Sequence, residues 1–172
     1  GTFAFPASLD WLIEAMAVVA SETFTATSAP IQYAAVRAFR GGIRIENYLT
    51  RSRQILQAIS RHVLTRLTGI GAIVAQPQGA FYMFPDFSPL RQNLMKRGIT
   101  TSTEMCDRLL EETGVAILPG YAFGRPPEEL TARLAMVDFD GSKALAMAEK
   151  YPDQENLPDE FLQHCCFKVV EA

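Results

Sequence analysis

The 172 residues carry three cysteines, two histidines and one tryptophan, and no apolar run reaches the 18 or so residues that a membrane-spanning helix needs. The small, odd cysteine count argues against a disulfide framework and for a reducing compartment, so a cytoplasmic protein with no membrane partner is expected. Cys165-Cys166 beside His164 is a poor metal site. Neighbours on a helix point about 100° apart, and no second ligand pair follows at zinc-like spacing, so no metal is expected. Neither a nucleophile elbow nor a phosphate-binding loop occurs. Gly69-Ile70-Gly71-Ala72-Ile73-Val74 lacks the third glycine of a dinucleotide fingerprint and lies between helix and strand in the wrong order. Gly1-Thr2-Phe3-Ala4-Phe5-Pro6 has no basic segment ahead of it and is not a secretory signal.

What remains is an ordinary globular composition. The chain is 48% hydrophobic and 20% charged, with 10 Pro and 11 Gly, and its length suits one domain over residues 1–172. A formal net charge of −3 gives no global attraction to nucleic acid or anionic lipid. Thr2–Phe5 reads as the end of a buried strand. Ser8 is placed to cap a helix on which Leu9, Leu12, Ile13, Met16, Val19 and Ala20 recur at helical spacing. Pro30 suits the first turn of a second helix, Pro30–Phe39, which Gly41-Gly42 ends. The longest periodic stretch follows: Ile45, Leu49, Ser52, Leu56, Ile59, Val63 and Leu67 step by four and three, one stripe on a helix of about seven turns.

After Gly69 and Gly71 the period becomes strand-like. Ala72–Ala75 and Ala80–Phe84 around Pro77-Gln78-Gly79 predict an antiparallel pair. Thr101-Ser102-Thr103-Glu104 is a capping box for a helix closed by Gly114. Val115–Leu118 and Leu130–Phe139 read as strands, and Asp140-Gly141 starts a helix running to about Lys150. Residues 151–160 read as a solvated connector and Phe161–Val170 as a last amphipathic helix. The fold class expected is α/β (α+β), a sheet of three or four strands, mixed or antiparallel, packed against helices that include one long helix.

Arg133 is the most informative residue. At the two-residue period of a strand it shares a face with Ala135, Val137 and Phe139, an apolar face expected to be covered. A guanidinium there needs an anion, which is either an internal carboxylate or a ligand; the other escape is a strand edge open to water. Pro119-Gly120-Tyr121-Ala122-Phe123-Gly124 offers two glycines for close approach and two aromatics as walls, either of a pocket or of a packed turn. The aromatic run Phe81-Tyr82-Met83-Phe84 is expected to be core. Arg37, Arg40, Arg44, Arg51, Arg53, Arg61 and Arg66 stand against one acid, Glu46. That basic stretch suits either a single-stranded RNA or, better, a solvated face partly paired with the acidic tail. His62 is too isolated for a triad. No catalytic constellation is legible in the residues themselves.

Five segments in order resemble class I/II pyridoxal-phosphate-dependent aminotransferases of the aspartate-aminotransferase type (fold type I): Ser28–Ala35, Pro77–Tyr82, Leu109–Gly120, Phe123-Gly124 and Ala132-Arg133-Leu134. Together they span about residues 1–150. The resemblance implies the C-terminal small domain of such an enzyme, with residues 1–40 a remnant of the large domain and 151–172 a C-terminal extension. It implies that Arg133 grips the α-carboxylate of an amino acid, that Tyr121, Phe123 and Gly124 line the substrate entrance, and that the complete enzyme is a homodimer acting on an amino acid and a 2-oxo acid. The family's Schiff-base lysine lies in a Ser-x-x-Lys segment, followed by a Gly-x-Arg-x-Gly segment for the cofactor phosphate. None of Lys96, Lys143, Lys150 or Lys168 is in that setting. The expectation is therefore a fragment inactive alone, without bound pyridoxal phosphate and with no catalytic residue of its own. A β-lyase of the same fold and a non-enzymatic RNA-binding or interaction module are the alternatives.

Overall fold

A computed structural model describes residues 3–151 and 156–172; the start of the expected first strand and residues 152–155 of the expected connector lie outside them. The chain divides into two compact units, Gly1–Glu46 and Asn47–Ala172.

The first unit holds a 3-10 turn at Ala7–Leu9 and two helices, α1 (Asp10–Thr23) and α2 (Ala29–Phe39). Pro30 sits in the first turn of α2, where its missing N–H leaves no bond unmade. Ser8 caps nothing: it lies inside the 3-10 turn, and α1 begins without a side-chain cap. Residues 3–5 form no strand. A strand needs a neighbour for its backbone N–H and C=O groups, and none of the three described strands pairs with this segment. No described residue of this unit is buried.

The helix α3 (Ile43–Gly69) carries the predicted stripe. Ile59 and Val63 are buried, Ile45, Leu49, Ser52, Leu56 and Leu67 are half-buried, and buried Ile55 and Ala58 widen the stripe by a row. At 1.5 Å per residue this helix is about 40 Å long.

Beyond it, β1 (Tyr82–Met83), β2 (Leu118–Pro119) and β3 (Ala132–Ala135) form an antiparallel sheet of order β1-β3-β2. The expected hairpin of Ala72–Ala75 with Ala80–Phe84 does not form. Ile73 instead bridges Asp86, and Tyr82–Met83 pairs with β3. All three strands are shorter than their apolar runs, because regular pairing extends over only two positions on either side of β3.

Helices α4 (Arg91–Met95), α5 (Ser102–Thr113) and α6 (Gly141–Ala148) accompany the sheet. The capping box is present in full: Thr101 accepts from the Glu104 amide, Glu104 accepts from the Thr101 amide, and Gly114 closes α5 in the left-handed region at φ 76°. Asp140 caps α6 by accepting from the Lys143 amide at 3.0 Å. The last helix is two, α7 (Asp159–Cys165) and α8 (Phe167–Glu171). The backbone leaves helical geometry at Cys166 (φ −126°, ψ 29°), which is seated in the core at 1% exposure.

Two clusters of buried side chains result. The larger joins Ile55, Ala58, Ile59 and Val63 of α3 to Met83, Met136, Ala144, Ala148, Leu157, Phe161, Leu162, Cys165 and Cys166. The smaller joins Ile99, Met105, Cys106, Leu130 and Ala132. One face of β3 serves both.

Candidate functional site

The pleat of β3 separates its residues into two sets. Ala132, Leu134 and, just beyond, Met136 face the cores. Arg133 and Ala135 point the other way, with their cross-strand partners Leu118 and Tyr82. That second face is not the covered one expected from sequence: Arg133 is half-buried, Ala135 exposed, and Tyr82, Leu118 and Val137 are 44%, 46% and 51% exposed. The period holds for Arg133, Ala135 and Val137, with inside and outside reversed because Ala132, Leu134 and Met136 supply an equally apolar alternative; it fails at Phe139, beyond the end of β3, which packs against the larger core.

The Arg133 guanidinium lies over two aromatic rings, with its central carbon 4.6 Å from the Tyr82 centroid and 4.4 Å from that of Phe123. Each such contact stabilises a cation by about 0.5–2 kcal/mol, more where water is excluded. Phe84 meets Phe123 edge-on at 5.8 Å. The aromatic run is thus not core: only Met83 is buried, while Phe81, Tyr82 and Phe84 stay partly exposed on this side of the molecule. No ion pair or side-chain hydrogen bond among the described residues engages the Arg133 guanidinium; the ion pairs are Arg97–Glu112, Arg108–Glu112, Arg125–Glu129 and Lys168–Asp138. An internal Asp or Glu does not hold it. A guanidinium stacked through its π faces keeps its N–H donors at the rim, in the fork that a carboxylate accepts two at a time.

The loop after β2 sets one wall. Gly120–Phe123 is a 3-10 turn ended by Gly124 in the left-handed region at φ 77°. Gly120 donates its N–H to the Thr131 carbonyl at 2.8 Å. A Cβ at Gly120 would stand 2.0 Å from Thr131 Oγ1, so the close approach that this glycine permits is to the protein's own Thr131. Tyr121 donates its N–H to Ser102 Oγ at 3.4 Å and leaves its ring 59% exposed. Of the expected lining, Phe123 therefore touches Arg133, Gly124 shapes the turn, and Tyr121 stands at the open side. Sequence reading missed Tyr82 as a wall. Its pairing opposite Ala135, diagonal to Arg133, was the available signal, had the 80–84 run been paired with the arginine's strand.

Other candidates resolve differently. Arg51 and Arg61 reach the C-terminal segment, but through the carbonyls of Ala148 and Leu157 and the Asn156 amide oxygen rather than through acids. The three cysteines are free and buried, and burial raises Cys106 to about 11 and Cys166 to about 12, far from a reactive thiolate. Among the described residues no group of His, Cys, Asp and Glu could hold a metal, and no helix is long and apolar enough to cross a membrane. Lys96 ends α4, Lys143 and Lys150 stand in and just after α6, and Lys168 pairs with Asp138 at 3.3 Å. No lysine belongs to the aromatic group around Arg133.

The family described as aminotransferase class I and II matches residues 2–145. The aspartate aminotransferase of Bacillus sp. (strain YM-2) is 34% identical over 116 residues, 67% of this chain and 28% of that protein. The asparagine–oxo-acid transaminase of Streptococcus mutans serotype c is 34% identical over the same shares of the two chains. The crystal structure of an aromatic aminotransferase from Pyrococcus horikoshii OT3 superposes with a TM-score of 0.60 at 28% identity, covering 93% of this chain and 37% of that one. The chain thus spans less than a third of the length of the curated relatives it matches. Each of the three moves amino groups by name; neither a lyase nor an RNA-binding protein is among them.

Proposed function

This chain belongs to the class I and II aminotransferases, and we propose that in the complete enzyme Arg133 holds the carboxylate of the amino acid and of the 2-oxo acid that exchange an amino group. The observation that carries this reading is a half-buried guanidinium lying over Tyr82 and Phe123 with no carboxylate of its own. A carboxylate received there in a bidentate fork fixes both the position and the rotation of the substrate about its Cα, which is how binding energy becomes orientation. Tyr82 and Phe123 hold the fork in place and keep water from its faces. Tyr121 and Gly124 border the entrance. Because the carboxylate is common to every amino acid and oxo acid, Arg133 selects the class and not the member.

Pyridoxal phosphate does not fit the described residues as a group held by this chain. It requires a lysine for its aldehyde and a set of donors for its phosphate, and no lysine stands with Arg133. Binding of the cofactor and the proton transfers at the amino-bearing carbon belong to residues elsewhere in the enzyme. Residues 1–40 are read as part of its large domain and 151–172 as an extension of the small one. The first unit, which buries none of its described residues and leaves Trp11, Tyr33 and Phe39 open to solvent, is consistent with a homodimeric assembly that covers it. The buried, unpaired thiols suit the cytoplasm.

The test is Arg133→Leu in the complete enzyme. Loss of a charge-assisted fork of about 3 kcal/mol lowers kcat/KM roughly 100-fold or more, chiefly through KM, and Arg133→Lys recovers only part of it. Kinetics unchanged by Arg133→Leu would overturn the assignment.

A further inference from the structure

Phe84 belongs to the aromatic group around Arg133, but it is Tyr82 and Phe123 whose faces the guanidinium lies over. The Phe84 ring instead meets that of Phe123 edge to face, at 83° and 5.8 Å between centroids. We infer that Phe84 is a positioning residue for the carboxylate fork, bracing Phe123 and, through Phe123, the Arg133 guanidinium. This rests on the carboxylate-binding role proposed for Arg133 and extends it to a side chain that acts through another ring and not on the substrate.

The two walls of the fork are carried differently. Tyr82 lies in β1, paired opposite Ala135, and the same register carried on from Met83 and Leu134 sets Phe84 opposite Arg133. Bonds to β3 and its extension hold both ends of this stretch. The Met136 N–H donates to the Phe81 carbonyl at 2.9 Å, and the Ala132 N–H to the Pro85 carbonyl at 3.2 Å. Met83 and Pro85 turn inward and are buried, so Tyr82 and Phe84 share the outer face.

Phe123 has no such support from its backbone. It ends a 3-10 turn tied to its surroundings at its start, where the Gly120 N–H reaches the Thr131 carbonyl at 2.8 Å and the Tyr121 N–H reaches Ser102 Oγ at 3.4 Å. Towards its exit the bonds stay within the turn: Gly124 N–H to the Tyr121 carbonyl at 3.1 Å and Arg125 N–H to the Gly120 carbonyl at 3.2 Å. The Phe123 ring therefore depends on side-chain contacts for its orientation, and a perpendicular ring pair is an oriented contact, set by the two ring quadrupoles. Phe84 thus transfers the rigidity of the sheet to the loop wall. It is 40% exposed and belongs to neither core cluster, so removing its ring leaves both cores intact.

The experiment is the single-turnover reaction of the complete, cofactor-loaded enzyme with whichever of the standard L-amino acids reacts fastest, read as an apparent dissociation constant and a limiting rate. Phe84→Ala raises the dissociation constant about threefold or more and leaves the limiting rate within about twofold, because it loosens the fork without touching the reacting carbon. Phe84→Tyr, which keeps the ring, stays within about twofold of the parent in both. In a Phe123→Ala background Phe84→Ala adds less than about twofold, since the ring it braces is gone. Should Phe84→Ala fail to take up the cofactor, Phe84→Leu, which fills the space without a ring, is read against the same thresholds. A smaller loss of affinity, a limiting rate that falls with it, a Phe84→Tyr as impaired as Phe84→Ala, or an equal loss in both backgrounds overturns the inference. Arg133→Leu, run in parallel, raises the dissociation constant roughly 100-fold. If it does not, the role of Arg133 itself falls and the brace with it, whereas a parent-like Phe84→Ala beside an impaired Arg133→Leu removes the brace alone.

Discussion

Helical periodicity is written as clearly into the first 46 residues as into the rest, yet the two units differ in what that periodicity achieves. α1 and α2 bury no residue, and Trp11, Tyr33 and Phe39 are 63%, 78% and 72% exposed. The part of α3 in the second unit buries four, packed against α6, α7 and the sheet. An apolar stripe is a request for a partner surface, and only the second unit supplies one from its own sequence. The largest expected effect breaks or secures this comparison. Phe161, 1% exposed in the larger core, loses about 3–5 kcal/mol when changed to Ala. Trp11→Ala in the 172-residue chain stays within about 0.5 kcal/mol despite removing a larger ring. Urea unfolding of the two variants measures both, and equal losses would mean that the first unit is packed after all.

The same contrast explains what could be read in advance. The stripe of α3, the capping box at Thr101 and Glu104 and the Asp140 cap are local patterns whose physics closes within one or two turns, and all three form. Strand ends, the pairing of Tyr82 with Ala135 and the side of β3 on which Arg133 lies depend on partners fifty residues away. The two-residue period groups Arg133 with Ala135 and Val137 correctly, but it cannot say which set faces the core when both are apolar. Ser8 looks like a cap and is not one, because the chain enters α1 through a 3-10 turn. His62 reads as isolated in sequence, and only the approach of Asp159 from α7 turns its helix face into a cavity wall. Arg133 itself was singled out by an energetic argument, the cost of a guanidinium in apolar company. Its company is Tyr82 and Phe123, and the carboxylate-binding role remains the proposal made above.

Within the second unit, the next effect concerns how the wall of Arg133 is held. Gly120 packs so closely on Thr131 that an added Cβ must displace Thr131 Oγ1, Cβ or its carbonyl, which stand at 2.0, 3.0 and 3.0 Å. Gly120→Ala therefore costs about 1–3 kcal/mol of overpacking. It also shifts the turn that carries Phe123, raising KM of the complete enzyme. Adding Thr131→Ala removes the nearest clash and restores part of both, whereas Gly124, whose added Cβ would meet nothing within 4 Å, gives no such rescue. A Gly120→Ala protein with unchanged unfolding midpoint and KM would separate the loop from the site.

The smallest effect returns to the helix starts that distinguish the units. α5 begins with a closed capping box, and α1 with no side-chain cap. Thr101→Ala consequently costs about 1 kcal/mol, while Ser8→Ala leaves stability unchanged. The box also has a pH signature. The Thr100 amide, followed by the Thr100 hydroxyl and the Thr101 amide, donates to the Glu104 carboxylate and lowers its pKa from 4.5. A group whose pKa is lower folded than unfolded stabilises the fold above the unfolded value and loses that contribution as the pH falls below it. Protonation thus weakens the start of α5 at mildly acid pH. Amide exchange between pH 6 and pH 4, referenced to each amide's intrinsic rate, reads both helices in one sample. Protection at the α5 N-terminus declines relative to α1 in the parent protein, and the difference shrinks in Glu104→Gln, which keeps an acceptor oxygen but has no charge to lose.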